Sequence, residues 1–246
     1  MSIQFKKAAA FAPAAAIAMG LGAAPAQAST VTLLLGGEHT GAYIENYFNG
    51  GADSVPSDGN GPSDGFTFSS NATVQKAGSS ASTGDGRFEN NPSGQSEILY
   101  FAADNSSGTL NTGGSYLNYA AGFSGLSFNY SLAGNSAAYS ATVNIWSGLN
   151  GTGTLLDSLT LAPNATTVAC TSSKDSYCTW SLATTGTTNF GTAESVTFGA
   201  SSTTNFTEFD GVQLTPVPLP GALLLLGSAC CGLFGLGRRG RRSDHR

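Results

Sequence analysis

The sequence predicts an all-β protein, an antiparallel β-sandwich of jelly-roll type, from three observations. About ten short segments have the alternating or continuous apolar pattern of strands. Turns rich in Gly, Asn and Ser separate them, and Gly alone accounts for 33 of the 246 residues. No segment between the two ends has the apolar spacing of an amphipathic helix. Many short strands without helices are typical of sandwiches and barrels.

The predicted strands cover most of the chain between its two ends. Segments 123–132 and 141–146 alternate most clearly, with apolar side chains at every second position. A turn is expected at 147–153, and only 42–49 has the pattern of a helical turn. The predicted strands are 31–35, 66–68, 98–103, 116–120, 123–132, 141–146, 154–161, 166–170, 178–182, 194–200 and 206–214.

The first 28 residues have the three parts of a secretory signal peptide. Lys6 and Lys7 give a basic start, an Ala-rich apolar segment follows, and an A-x-A cleavage site ends at Ala28. We therefore expect export through the Sec machinery and cleavage by signal peptidase. The mature chain would then begin at Ser29.

The last 30 residues form a second segment directed to a membrane. It opens with a short motif of Val217, Pro218, Leu219 and Pro220. An apolar span of about 219–237 follows, close to the roughly 20 residues that cross a bilayer as a helix. Four arginines at the start of the tail 238–246 would keep it in the cytoplasm: Arg238, Arg239, Arg241 and Arg242. The predicted division is a signal peptide at 1–28, an exported β-sandwich at 29–215, and a sorting and anchor segment at 216–246.

This order of parts resembles the PEP-CTERM proteins of Gram-negative bacteria. In that family a signal peptide opens the chain, and a Pro-Glu-Pro motif, a transmembrane helix and an Arg-rich tail close it. Here Leu219 stands where the family usually has Glu. Parts of the body also resemble a recurrent PEP-CTERM body: 46–51, 66–69, 145–148, 151–156 and 209–212.

The resemblance implies a destination rather than a reaction. It implies processing by an exosortase, a membrane-embedded cysteine transpeptidase that cuts near the Pro motif. It also implies delivery to the cell surface or to an extracellular polysaccharide matrix. No biochemical activity of the body follows from it.

The charges of the chain are divided between its regions. Seven of the ten Lys and Arg lie in the terminal segments, so the body has only Lys76, Arg87 and Lys174 against fourteen acids. Its net charge of about −11 argues against nucleic acid as a partner. A secreted, well-hydrated protein has this kind of surface.

The four cysteines fall into two pairs. Cys170 and Cys178 are expected to form a structural disulfide in an oxidising periplasm, at the tip of a hairpin formed by 166–170 and 178–182. Cys230 and Cys231 lie in the apolar span, where small side chains favour helix packing.

Catalytic residues are not predicted, and we expect a protein that is not an enzyme. His39 is the single histidine of the body, and it lies beside Glu38 with no recognisable partner for acid–base chemistry. The sequence contains no Gly-x-Ser-x-Gly elbow. Its Gly-rich segments fall in turns rather than before helices.

A calcium ion is the one plausible cofactor. Oxygen-bearing side chains in Gly-rich loops suit Ca²⁺, although acids beside Gly are usually turn formers. The candidate ligands are Asp53, Asp58, Asn60, Asp64 and Asp85.

Sugar binding would use exposed aromatic rings, although aromatic residues in strands more often pack in a core. The candidates are Tyr43, Tyr47, Phe48, Tyr116, Tyr119 and Trp146. Five Asn-x-Ser/Thr triplets are expected to arise by chance in so polar a chain: Asn71, Asn105, Asn129, Asn164 and Asn205.

The sequence therefore predicts an exported, non-enzymatic β-sandwich that its tail first holds in the inner membrane. An exosortase would process it for the cell surface or matrix, where it has a structural or adhesive role with exopolysaccharide. The alternative is a lectin-like module that binds this polysaccharide. A secreted esterase or glycosidase is a third hypothesis, because the fold class also hosts such enzymes.

Overall fold

The computed structural model describes residues 29–36, 38–55, 57, 59–76, 87–101, 115–132, 141–162, 164, 175–185, 190–200 and 207–218. The chain divides into two compact units: Met1–Gln27 together with Leu219–Arg246, and Ala28–Pro218. All described residues belong to the second unit. The predicted signal peptide and the predicted anchor from 219 onward lie outside the described residues.

Twelve strands and one 3₁₀ turn, Leu149–Gly151, are found among the described residues. The strands are β1 (Val31–Thr32), β2 (Phe66–Phe68), β3 (Ala72–Lys76), β4 (Arg87–Phe88), β5 (Glu97–Phe101), β6 (Tyr116–Leu132), β7 (Ala141–Trp146), β8 (Leu155–Leu161), β9 (Asp175–Tyr177), β10 (Ser181–Thr184), β11 (Ala193–Ala200) and β12 (Thr207–Pro216). Across the described ranges, no helix is long and apolar enough to cross a bilayer.

Ten of these strands form one antiparallel sheet. Its hydrogen-bonded order is β3-β5-β12-β6-β11-β7-β8, with β1 beside β12 and with β2 and β10 beside β6. The short strands β4 and β9 pair with each other in parallel. The predicted all-β, mostly antiparallel class is confirmed.

Strand β6 connects two parts of the sheet. Its first part pairs with β2 and β11, and its second part pairs with β10 and β12. The partners change near Gly122, whose φ of +81° bends the strand and favours glycine. A Cβ at Gly122 would also lie 2.7 Å from Cγ2 of Thr192. The sequence predicted two strands, 116–120 and 123–132, whereas the structure has one bent strand of 17 residues.

The core lies where this sheet curls over on itself. Phe101 of β5 stacks on Phe198 of β11 with ring centroids 4.8 Å apart. Strands β12 and β6 separate β5 from β11, and a flat sheet would hold those two about 14 Å apart. Phe209 of β12 and Phe128 of β6 complete the contact, with centroids 5.6 Å apart. The predicted alternation is confirmed, because the apolar residues at every second position of 126–132 and of 141–145 are buried.

Strand β3 was not predicted. Four of its five residues are buried, including the polar Thr73 and Gln75, so both of its faces are covered. Thr73 Oγ1 donates to the carbonyl of Tyr100 over 3.2 Å. Its sequence contains one strongly β-forming apolar residue, Val74, which is too weak a pattern to identify a strand.

Several predicted boundaries are corrected. Residues 175–177, placed in the tip of a hairpin, instead form β9 beside β4, and the strand predicted at 178–182 begins at Ser181 and pairs with β6. The strand predicted at 31–35 ends at Thr32. Residues 45–48 form turns without a helix. The expected turn at 147–153 is confirmed, with Asn150 in the left-handed region at φ 58°.

Candidate functional site

The predicted sorting motif begins directly at the end of β12. The strand finishes at Pro216, and the N–H of Val217 still donates to the carbonyl of Gly122 over 3.1 Å. Pro218 is exposed and has no N–H with which to continue the ladder. The other predicted sorting residues lie outside the described residues: Ala28, Leu219, Pro220, Arg238, Arg239, Arg241 and Arg242.

Both ends of the β-domain lead to the same edge of the sheet. Val31 lies opposite Leu214 in the antiparallel pair of β1 and β12. The chain before Val31 therefore runs in the direction in which β12 ends. Ser29, just after the predicted signal cleavage site, and Pro218, just before the predicted span, emerge together. Sequence reasoning did not find this proximity, because strand pairing between distant segments has no local signal.

Several described residues at this edge are exposed and have small or apolar side chains without a charge. We call the following six residues the rim: Ser29, Thr30, Ala120, Ala121, Thr192 and Pro218. Uncharged side chains lose less hydration free energy than charged ones when they approach an apolar phase.

A group of buried acids lies beside the segment that follows β1. Glu38 and Glu97 are 3% and 1% exposed. Nζ of Lys76 lies 3.7 Å from Oε1 of Glu97. Burial, together with the nearby charges of Glu97 and Asp53, raises the pKa of the Glu38 carboxyl. Oε2 of Glu38 is buried with no hydrogen-bond partner among the described residues, so its ionised form costs folding free energy.

Three of the five predicted calcium ligands lie among the described residues: Asp53, Asn60 and Asp64. Oδ1 of Asp53 accepts a hydrogen bond from the N–H of Val55 over 2.8 Å, as in an ordinary turn. Asn60 lies in a backbone bridge to Ala52, and Asp64 is exposed. Within the described ranges, no group of three or more His, Cys, Asp or Glu residues is arranged to hold a metal ion. Asp58 and Asp85 lie outside the described residues.

Most of the predicted sugar-stacking aromatics are used for packing. Tyr47 and Phe48 are 9% and 1% exposed, and their rings meet edge to face. Tyr119 packs on Phe66 with centroids 5.3 Å apart. Nε1 of Trp146 donates to Oγ1 of Thr197 over 2.9 Å.

The two remaining aromatic candidates differ in exposure. Tyr43 is 38% exposed, whereas Tyr116 is only partly exposed. One exposed ring is a small surface for a sugar chain.

His39, the candidate for acid–base chemistry, does not share an exposed site with its neighbour Glu38. His39 is exposed, whereas Glu38 is buried. These two side chains therefore do not form an exposed acid–base pair.

A hydrogen-bonded cluster around Asp210 was not predicted. Asp210 is 1% exposed, and its Oδ2 accepts from the N–H of Ser93 over 2.8 Å. Its Oδ1 accepts from the Ser93 hydroxyl and from Nδ2 of Asn91. Gln95 extends the cluster, because its Oε1 accepts from the N–H of Leu35 over 2.6 Å. The signal available in the sequence was an acid, Asp210, that lies close to the apolar residues Phe209 and Val212 of a predicted strand.

The Gly-rich turn at 147–153 is held by a second polar network. Nδ2 of Asn118 donates to Oδ1 of Asn150 over 2.8 Å, and the N–H of Asn150 donates to Oδ1 of Asn118 over 2.8 Å. The N–H of Gly151 donates to Oγ of Ser195 over 2.9 Å. This segment, which resembles a recurrent family body, is therefore built for a rigid turn.

One cysteine and some asparagines of the Asn-x-Ser/Thr triplets lie among the described residues. Cys178 is buried and disulfide-bonded; Cys170, Cys230 and Cys231 lie outside the described residues, so its predicted pairing with Cys170 stays a prediction. Nδ2 of Asn71 donates to Ser115 over 2.8 Å. Nδ2 of Asn164 likewise donates to Ser181 over 2.8 Å. Both side-chain amides therefore stabilise the fold through hydrogen bonds.

Comparison with protein-family models, with curated proteins and with solved structures found no match to this chain.

Proposed function

We propose that this is an exported protein whose tail holds it in the inner membrane before an exosortase processes it for the cell surface or extracellular matrix. The observation that carries the proposal is the pairing of β1 with β12, which leads Ser29 and Pro218 to one edge. The chain would therefore leave the β-domain toward Ala28 and toward Leu219 from the same edge.

The charges at both ends are consistent with this topology. Lys6 and Lys7 would keep the start of the signal peptide in the cytoplasm, and the arginines of 238–246 would do the same for the tail. The β-domain between them would then lie on the opposite side. From Val217 to Leu219, two residues of extended chain cover at most about 7 Å. The folded domain and the predicted span are therefore only two residues apart in the chain.

For the domain itself we propose a β-sandwich with a structural or adhesive role in a polysaccharide matrix. The stacked contact between Phe101 and Phe198 supports two facing layers. The structural role is favoured over the lectin-like alternative because five of the six aromatic candidates are at least partly buried. The polar networks at Asp210 and Asn150 likewise stabilise loops rather than present groups to a ligand.

The test is the mass and C-terminal residue of the mature protein, compared between cells with and without the exosortase. Loss of the residues after about Val217 only in the exosortase-positive cells is expected. A full-length C-terminus in both strains would contradict the proposal and leave a permanently anchored protein. Fractionation of both strains then shows whether the processed form leaves the inner membrane.

A further inference from the structure

The first residue of the sorting motif is also the last residue held by the sheet. Val217 donates to Gly122, the next pairing inward joins Pro216 with Phe123, and the one before joins Thr215 with Gly125. No linker separates the folded domain from the motif.

A processing enzyme has to bind this segment as an extended peptide. Enzymes and domains that bind extended peptides usually do so through the main-chain hydrogen-bonding groups of the peptide. Some of those groups at 215–217 are already bonded to β6. Cleavage of a segment held in this way follows the population of its locally opened form when opening is fast.

The end of β12 is built to open without the rest of the strand. Beyond Leu214, β6 is the one described strand that pairs with β12, because the pairing with β1 stops at Val31. The register shifts between Thr215 and Pro216, and Pro216 contributes no N–H to the ladder. Leu214 itself is 0% exposed, and its burial in the core limits opening to the residues after it.

We propose that the exosortase acts only after residues 215–218 detach from β6, so that the fold of the β-domain limits the rate of its own sorting. This inference rests on the proposed function, since it needs an exosortase that recognises the motif. It also gives the absence of a linker a role. In the folded domain the sheet restrains the motif, whereas an unfolded domain would present the motif without this restraint.

The experiment lengthens the chain between the sheet and the motif. Six Gly and Ser residues are inserted between Pro216 and Val217 in the full-length protein, and processing is followed by pulse-chase in exosortase-positive cells. Opening breaks two or three backbone contacts, each contributing about a fivefold factor. Processing of the linker variant is therefore expected to be roughly 25-fold faster or more.

The same six residues inserted after Gly59 provide the matched control. Gly59 is exposed with no atom near its Cβ position, so this insertion lengthens the chain without releasing the motif. It should leave the rate unchanged. Equal or slower processing of the linker variant would overturn this inference alone. A wild-type chain that is not processed in either strain would remove the proposed function as well.

A point substitution keeps the test valid where an insertion prevents folding. Thr215→Gly weakens the exposed end of β12, and Thr184→Gly makes the same change on exposed β10. Protease resistance of the unprocessed domain in exosortase-deleted cells verifies folding of both. Faster processing of the Thr215 variant alone is expected, and equal rates for the two variants would contradict the inference.

Discussion

The two ends of β12 are held in opposite ways. At the inner end, 207–210, Phe209 is packed among other aromatic rings and Asp210 accepts several hydrogen bonds. At the outer end, 215–218, side chains are exposed or partly exposed, and one backbone hydrogen bond from Val217 ends the pairing. One strand thus joins an end that is buried in the core to an end that is exposed and held by few contacts.

Under the proposed function, this difference would let a folded domain present a processing signal without a linker. The free energy of local opening depends on the buried contacts of the residues that open, not on the stability of the whole domain. Substitutions at the inner end should therefore change global stability. Those at the outer end should change mainly the rate of processing.

The largest effect is expected for Phe209→Ala at the inner end. Removal of this ring leaves a cavity beside Phe198, whose centroid lies 4.6 Å away. The free energy of unfolding should fall by about 3–5 kcal/mol. Denaturant unfolding of the purified full-length protein in detergent, followed by tryptophan fluorescence, measures it. Leu182→Ala is the control, because Leu182 is 68% exposed; an equal loss in both variants would contradict the packing argument.

A smaller loss is expected for Asp210→Asn. The amide keeps the shape of the side chain but has one acceptor oxygen instead of two, so a donor of Ser93 or Asn91 loses its partner at the buried Asp210 position. Unfolding free energy should fall by about 1–3 kcal/mol. Asp64→Asn at an exposed position should change nothing measurable in the same denaturation experiment. If the Asp210→Asn variant is as stable as the wild type, the cluster does not hold 89–96 in place.

Glu38→Gln should strengthen the fold, and only above acidic pH. Because the pKa of Glu38 is raised in the folded state, the native protein binds this proton more tightly than the unfolded chain does. Stability is therefore full below the ordinary value of 4.5 and is lost as pH rises through the folded value.

The gain for Glu38→Gln at pH 7 should be about 1 kcal/mol, and it should vanish near pH 3. Unfolding curves of variant and wild type at several pH values measure the difference. Glu45→Gln makes the same charge change at an exposed position. A gain of equal size at both positions, or a gain that persists in acid, would contradict the assignment to Glu38.

The smallest effect on stability is expected for Thr215→Gly at the outer end. Its side chain is exposed, so the free energy of unfolding should fall by only about 0.5 kcal/mol. The same denaturation experiment measures it beside the Phe209 variant. A loss approaching that of Phe209→Ala would show that the two ends of β12 unfold as one cooperative unit and would contradict the expected difference between them.

Much of the fold was predictable where a strand buries one face. In 141–146 the residues Ala141, Val143 and Ile145 alternate with polar neighbours, and all three are buried. Prediction failed where both faces are covered by mixed residues, as in β3 with its buried Gln75. It also failed at Gly122, because a glycine between two apolar runs fits a turn as well as a bend within one strand.

The candidate site was predicted in part. Val217 and Pro218 were identified as the start of a sorting motif from order and composition, and the structure adds that Val217 is bonded to Gly122. Asp210 was noted only as part of a segment that resembles a family body. Its hydrogen bonds join residues more than a hundred positions apart in the chain, such as Ser93 and Asp210, so no local pattern could reveal them.

The sequence by itself determined the strand-rich class and the two end segments that predict export and anchoring, because periodicity, charge and apolar length are local properties of the chain. Tertiary structure alone decided which strands pair, where β6 changes partners, and that Ser29 and Pro218 lie at one edge. These features depend on contacts between distant segments, whose free energies come from burial and hydrogen bonding in the assembled core. The meeting of both ends at the rim is therefore a property of the fold and not of either end.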